Sequence, residues 1–220
     1  LSSSIKNFAH QRQLQVRYHE EYNNNLLPCS FHGTPTILKD LLILPYTRMT
    51  HYNSIPIAAI DIHTFKVMWP EAKCTLVNKQ FGNIRSRPCV YGDTIITPIA
   101  YSNNVIGISM SGHANWLSEC GLPFFPQWGS PAIHNKYAII PRYDGFIHCI
   151  DADSGKRSWS MLLGNESLAG LVVGPDGDIP ARQPDWEKKD LFPLNSPITI
   201  NNNVLYSLGS DGYLSAVSLG

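Results

Sequence analysis

One short hydrophobic pattern recurs four times along the chain. Each copy has Pro at its second position, an apolar run, a polar turn and a second apolar run. The four copies are Thr34–Pro45, Arg87–Pro98, Ser130–Pro141 and Ser196–Leu208. Their turns contain Asn, Asp and Gly residues, which tolerate the positive φ angles of tight hairpins. The pattern therefore predicts four strand–turn–strand units.

A second pattern, which ends in Trp, follows the first three hairpins. It spans Ala59–Trp69, Gly107–Trp116 and Cys149–Trp159. It predicts a strand, a tight turn and another strand, whose Trp packs between neighbouring sheets. Successive Trp residues lie about 45 positions apart, which is the period of a four-stranded propeller blade. The two patterns together predict an all-β chain that forms a β-propeller of four-stranded blades.

The whole chain, residues 1–220, is interpreted as a single propeller domain. Its repeats occupy approximately residues 33–75, 86–122, 129–164 and 195–220. The fourth repeat lacks an outer strand, and the polar–apolar alternation of Gln11–Tyr18 predicts a strand that completes this last blade. Two arrangements remain open. One is a closed ring of four blades, and the other is half of an eight-bladed propeller that either forms a homodimer or has lost its other half.

Composition narrows the class of protein. The formal net charge is zero and charged residues make up 15% of the chain, which argues against a nucleic-acid partner because phosphate binding needs a basic surface. No apolar run approaches the ~20 residues of a membrane-spanning helix. The five cysteines have no CxxC spacing. We expect free thiols, although Cys74 or Cys120 could be bridged in an oxidising compartment.

The repeats resemble those of the pyrroloquinoline-quinone-like (PQQ-like) β-propellers. That signature runs A-x-D-x-x-x-G-K-x-x-W, with S-P opening each blade and D-G between the second and third strands. The third repeat matches it at Ser130, Pro131, Asp144, Gly145, Asp151, Gly155, Lys156 and Trp159. The first repeat has Phe65 in place of Gly, and the second has Ser109 in place of Asp. The resemblance covers about residues 33–220 and implies a propeller fold. It extends to quinoprotein dehydrogenases and to outer-membrane assembly lipoproteins of the BamB type.

The long connecting segments all lie on one face of the predicted propeller, here called the long-loop face. They are Tyr46–Pro56, Pro70–Ser86, Leu117–Gly129 and Leu162–Leu194. The turns on the opposite face are short. Turns that only close a hairpin are usually short and long loops often carry function, so we expect the working surface on the long-loop face.

Aromatic residues and arginines on that face are candidate partner contacts, because such residues dominate protein–protein binding energy. The candidates are Arg48, Met49, His51, Tyr52, Phe124, Phe125, Trp128, Arg142, Tyr143 and Trp186. The alternative for the cluster of Phe124, Phe125 and Trp128 is that it covers the core. The three repeat residues Trp69, Trp116 and Trp159 are expected to dock blades.

Two further features suggest small ligands. Arg87 replaces the Thr or Ser that precedes the opening Pro in the other repeats. It could bind an anion in the axial channel, or lie on the rim. Asp176 and Asp178 could hold calcium, but two carboxylates are few for a cation that takes six to eight oxygens.

The sequence favours a non-catalytic scaffold that binds a protein partner through the long-loop face, because it contains no catalytic motif. The resemblance also implies an alternative, a quinoprotein-type dehydrogenase that holds PQQ beside calcium under a disulfide of adjacent cysteines. This chain has no adjacent cysteine pair. A third hypothesis is sugar or anion binding in the channel mouth. The low charge and the resemblance favour a periplasmic or otherwise exported protein.

Overall fold

The computed structural model describes residues 19–22, 25–28, 30–31, 33–47, 54–77, 82–120, 129–163, 170–177, 194, 196–210 and 212–220. Every regular element within these ranges is a β-strand, so the predicted all-β class is confirmed. These ranges contain no helix that is long and apolar enough to cross a membrane.

Twenty strands follow one another along the chain. The first ten are β1 (His19–Tyr22), β2 (Asn25–Pro28), β3 (Thr36–Leu38), β4 (Leu41–Pro45), β5 (Ser54–Ile55), β6 (Ile57–Asp61), β7 (Val67–Trp69), β8 (Ala72–Lys73), β9 (Cys89–Tyr91) and β10 (Thr94–Pro98). The second ten are β11 (Asn104–Ser109), β12 (Ala114–Glu119), β13 (Ala132–His134), β14 (Tyr137–Pro141), β15 (Phe146–Asp151), β16 (Arg157–Leu162), β17 (Val172–Val173), β18 (Thr199–Asn201), β19 (Val204–Leu208) and β20 (Leu214–Ser218).

Four antiparallel sheets form the blades. Blade one is β3-β4-β6-β7, blade two is β9 to β12, blade three is β13 to β17, and blade four is β18-β19-β20. Each predicted hairpin supplies the first two strands of a blade, and each Trp pattern supplies the third and fourth. The predicted blades are therefore confirmed strand by strand in the first three repeats.

Hydrophobic clusters lie between successive blades. In β10, Ile95 belongs to the cluster shared with blade one, whereas its neighbour Ile96 belongs to the cluster shared with blade three. Successive residues of a strand point to opposite faces of the sheet, so a strand covered on both faces needs a continuous apolar run. A third cluster, which includes Ile147 and Leu205, joins blade three to blade four.

The repeat Trp residues reach from one blade to the next. The indole N–H of Trp69 donates to the backbone oxygen of Met110 at 3.0 Å, and that of Trp116 donates to Ala152 at 3.0 Å. Each ring lies against a glycine of the next blade's outer turn, Gly112 or Gly155. Trp159 packs in the cluster between blades three and four.

The two departures from the family signature keep the same turn geometry. Phe65 adopts a left-handed backbone with φ 56°, close to the φ of 72° at Gly155. A carboxylate oxygen of Asp61 and of Asp151 accepts a backbone N–H three residues later. In blade two the hydroxyl of Ser109 contacts the backbone N of His113 at 3.3 Å. A polar side chain therefore closes all three turns.

Some elements differ from the sequence prediction. The predicted strand Gln11–Tyr18 lies outside the described residues, and the described part of blade four has three strands. The long segment Leu162–Leu194 contributes β17, which adds a fifth strand to blade three. Two small sheets, β1-β2 and β5-β8, lie outside the blades. Neither small sheet recurs in the described part of the other blades, so the repeat pattern does not predict them.

Candidate functional site

The long-loop face is held together by bonds between loops and blade turns. The backbone N–H of Ala100 donates to Asn83 at 2.8 Å, and that of Leu194 donates to Arg142 at 3.0 Å. Ala100 and Arg142 lie in turns between second and third strands, whereas Asn83 and Leu194 lie in segments that enter a blade. The side chain of Leu194 is buried. The ends of the long loops are therefore fixed against the turns of the same face.

Two aromatic side chains are exposed on this face, and a half-buried arginine lies against one of them. Tyr101 is 44% exposed, and the guanidinium of Arg85 lies 5.2 Å from the centre of its ring and donates to its hydroxyl at 3.3 Å. Phe31 is 43% exposed and meets the ring of Tyr46 edge-on at 6.4 Å. Tyr and Arg are among the residue types that are enriched in protein-binding hot spots.

The sequence analysis did not single out Phe31, Arg85 or Tyr101. For Arg85 and Tyr101 the sequence contains a pattern that could have pointed to them. Arg85 belongs to the run Arg85-Ser86-Arg87 ahead of Pro88, and Tyr101 lies in the second-to-third strand turn, as Tyr143 does in the next repeat. Phe31 precedes the first repeat, and its place beside Tyr46 depends on the bridge between Ser30 and Thr47.

The opposite face is built from charged turns that pair among themselves. Lys39 lies 2.7 Å from Asp93, and Lys136 lies 3.0 Å from Asp151. The hydrogen bond from Lys136, with those from Ser154, lowers the pKa of Asp151 to about 2. These charges satisfy one another locally, so this face offers fewer unengaged anchors for a partner than the long-loop face.

Most of the predicted contact residues lie outside the part of the chain that the structure describes. Tyr143 is half-buried in the turn between β14 and β15. Eight candidates lie outside the described residues: Arg48, Met49, His51, Tyr52, Phe124, Phe125, Trp128 and Trp186. Their role in partner binding stays a prediction.

The prediction that Arg142 contacts a partner needs correction. This residue lies inside the protein and is only 1% exposed. Its two terminal nitrogens donate to the backbone oxygen of Ser102 at 3.3 and 3.4 Å, and its Nε lies 3.7 Å from a carboxylate oxygen of Asp144. Ser102 belongs to the corresponding turn of blade two. Arg142 therefore links two turns of the long-loop face and has almost no surface to offer a partner.

His148 forms a buried polar pair close to this link. Its Nδ1 lies 2.7 Å from the hydroxyl of Ser160, and its ring stacks with Phe146 at 6.0 Å. Within the described part of the chain, its Nε2 has no hydrogen-bond partner. Burial, followed by the positive charges of Arg142 and Arg157, holds the pKa of His148 well below its usual value. The ring is therefore neutral in the folded protein.

Arg87 is exposed at the entry to blade two. Its backbone N–H donates to the hydroxyl of Ser130 at 2.9 Å, so the entries of blades two and three are adjacent. Binding of an anion by Arg87 stays a prediction.

The turn around Asp176, which the sequence suggests as a calcium site, is bonded to an arginine side chain. Asp176 is exposed in it, and Asp178 lies outside the described residues. The guanidinium of Arg157 donates to the backbone oxygens of Pro175, at 2.9 Å, and of Gly177. Arg157 thus engages two carbonyl oxygens of this turn, and calcium binding by its carboxylates stays a prediction.

The described residues do not fit a quinone–calcium centre. Within the described ranges no three His, Cys, Asp or Glu side chains converge to hold a metal ion. Cys74, Cys89, Cys120 and Cys149 are free thiols, so Cys74 and Cys120 are not bridged here. Burial raises the pKa of Cys149 to about 12, which keeps its thiol protonated and unreactive. Cys29 lies outside the described residues.

Comparison with known proteins identifies the fold. No protein-family model and no curated protein matches the sequence. BamB from Moraxella catarrhalis is similar in structure, with a TM-score of 0.57 and 18% identity over 86% of this chain and 50% of that one. Quinohemoprotein alcohol dehydrogenase from Comamonas testosteroni has a TM-score of 0.59 and 14% identity over 82% of this chain and 29% of that one. The fold is that of a PQQ-like β-propeller.

A designed protein also shares the fold, and the match spans most of both chains. The computationally designed Ika4 has a TM-score of 0.54 and 11% identity, and the match covers 86% of this chain and 91% of Ika4. In contrast, the chain spans half the length of the BamB chain. These low identities establish the architecture, and the activity must be argued from the residues of this chain.

The buried neutral His148 predicts a pH-dependent stability. In the unfolded chain a histidine titrates near pH 6.5, whereas in the folded protein its pKa is far lower. Between these values the unfolded state binds the extra proton. We therefore expect the free energy of unfolding to fall by up to about 1.4 kcal/mol per pH unit below pH 6.5.

Urea unfolding between pH 7.5 and 5 measures this effect. The His148→Asn variant keeps a polar group near Ser160 but does not titrate, so its stability should depend less steeply on pH than that of the wild type. The matched control is His63→Asn, because His63 is exposed. An identical pH slope in the wild type and in His148→Asn contradicts the assignment.

Proposed function

We propose that this propeller is a non-catalytic scaffold that binds a protein partner through its long-loop face. The observation that supports the proposal best is the exposed Tyr101, which half-buried Arg85 holds in place, with Phe31 on the same face. An exposed Tyr already held by an Arg loses little side-chain freedom on binding, which favours its use as an anchor. The opposite face has mainly paired charges.

Two further considerations agree with a scaffold. The described residues contain no metal-binding group of side chains and no reactive thiol among Cys89, Cys120 and Cys149. The repeats also resemble those of the BamB-type assembly lipoproteins. The predicted contacts Phe124, Phe125 and Trp128 would extend the anchor surface on the same face. In keeping with the resemblance, we propose a periplasmic or otherwise exported location.

Cross-linked capture from an extract of the source organism tests the proposed face. The double variant Arg85→Ala with Tyr101→Ala removes the anchor pair, and Lys39→Ala with Lys136→Ala changes the opposite face as a matched control. Loss of a hot spot costs about 2 kcal/mol or more. We therefore expect the proteins retained by the wild type to fall at least tenfold with the first variant and to stay unchanged with the second.

Equal retention by the wild type and the Arg85/Tyr101 variant, or selective loss with the Lys39/Lys136 variant, contradicts the proposal. Circular dichroism checks that both variants remain folded. A further variant changes Phe124, Phe125 and Trp128 to Ser. Loss of capture with an unchanged spectrum assigns these residues to the surface, whereas unfolding assigns them to the core.

A quinoprotein-type dehydrogenase is the second candidate, because the alcohol dehydrogenase shares the fold. Titration of the purified protein with PQQ and calcium, followed by tryptophan fluorescence, separates the two functions. The scaffold predicts no saturable change. Saturable one-to-one binding at micromolar or lower concentration would replace the scaffold with an enzyme and direct attention to alcohol or sugar substrates.

A further inference from the structure

Blade four exposes an apolar sheet face that points away from blade three. It is formed by Tyr206, Leu208, Leu214 and Ala216 and is here called the outward face. Tyr206 pairs with Ala216 across the sheet, and Leu208 pairs with Leu214. Tyr206 is 38% exposed and Leu214 is 64% exposed. A contiguous exposed apolar surface of this kind usually marks a site of interaction.

The same positions are buried in the other three blades. The residue pair that corresponds to Tyr206 and Ala216 is Ile43 with Ala59 in blade one, Ile96 with Gly107 in blade two and Ile139 with Cys149 in blade three. All the non-glycine members of these pairs are buried. Ile43, Ile96 and Ile139 each belong to the apolar cluster at the contact with the following blade. The outward face of blade four thus occupies the position that the other blades use to contact the blade that follows them.

Within the described residues, no outer strand covers the edge of blade four. In the described part of the chain β20 pairs with β19 alone, whereas the corresponding strands of blades two and three are each covered by an outer strand. Beside this edge lies a groove of about 230 Å³, lined by Trp159, Met161, Val172, Val217, Ser218 and Leu219. This edge and the outward face belong to the same blade.

Blade one carries the matching surface. Its face that points away from blade two includes Ile37, which is exposed, and Leu42 and Leu44, which are half-buried. The corresponding residues of blade three are Ile133, Ala138 and Ile140. They pack blade three onto blade two. The surface that one blade uses to dock on its predecessor is therefore accessible at blade one.

We propose that the outward face of blade four binds blade one of a second copy of this chain. The contact uses the same apolar sheet faces that join blades one to two, two to three and three to four, without a docking Trp from an outer strand in the described residues. With two-fold symmetry, each copy uses both faces, and two identical contacts close a ring of eight blades.

Light scattering after size-exclusion chromatography tests the pairing on the 220-residue chain. We expect twice the 24.5 kDa mass of one chain. The Leu214→Glu variant places a charge in the contact and should yield a single-chain mass at the same concentration, with a dissociation constant raised at least tenfold. The matched control is Leu76→Glu, because Leu76 is also exposed but lies outside both faces. It should remain dimeric.

A mixing experiment identifies which surfaces meet. The Ile37→Glu variant should also be a single chain, since it damages blade one. Mixed with Leu214→Glu, it should form a pair, because the intact blade four of the first can bind the intact blade one of the second. Circular dichroism and thermal unfolding confirm that each variant folds.

Three results overturn the proposal. They are a wild type of single-chain mass at all concentrations, a dimer that Leu214→Glu leaves intact, and a dimer of normal mass in Ile37→Glu. The last result would mean that two blade-four faces pair with each other. A mass that keeps rising beyond two copies overturns the closed ring.

Discussion

Docking of a Trp ring onto a glycine of the next blade is the interaction on which the structure depends. Trp116 lies against Gly155 and donates its indole N–H to Ala152, and Trp69 does the same with Gly112 and Met110. A buried aromatic ring gains from its apolar area, and its N–H must find an acceptor. The contact satisfies both needs and fixes blade one against blade two and blade two against blade three.

The long-loop face follows from this docking. Blades held in one orientation bring their second-to-third strand turns together, which allows Arg142 of blade three to bond Ser102 of blade two. The entering loops attach to these turns through Leu194 and Asn83. The exposed Tyr101 and its partner Arg85 are therefore carried by a fixed framework. The described turns of the opposite face are short, and Lys39 pairs there with Asp93 and Lys136 with Asp151.

The repeat made most of the fold predictable, because strand alternation and turn residues are local properties of the sequence. Phe65 illustrates the limit of residue matching, since it takes the left-handed conformation of the glycine that it replaces. The candidate site was less predictable. Burial of Arg142 depends on the neighbouring blade's turn, and exposure of Tyr101 depends on what the adjacent loops leave uncovered. Neither property is encoded within one repeat.

Comparison of two glycine variants tests the docking contact most directly. Gly155 and Gly92 both have positive φ, at 72° and 54°, so an alanine adds a similar backbone cost at each. A Cβ at Gly155 would lie 2.6 Å from the Trp116 ring, whereas one at Gly92 meets nothing within 4 Å. We expect Gly155→Ala to lower the free energy of unfolding by about 1–3 kcal/mol more than Gly92→Ala. Equal losses in urea unfolding would contradict the docking role of the Trp.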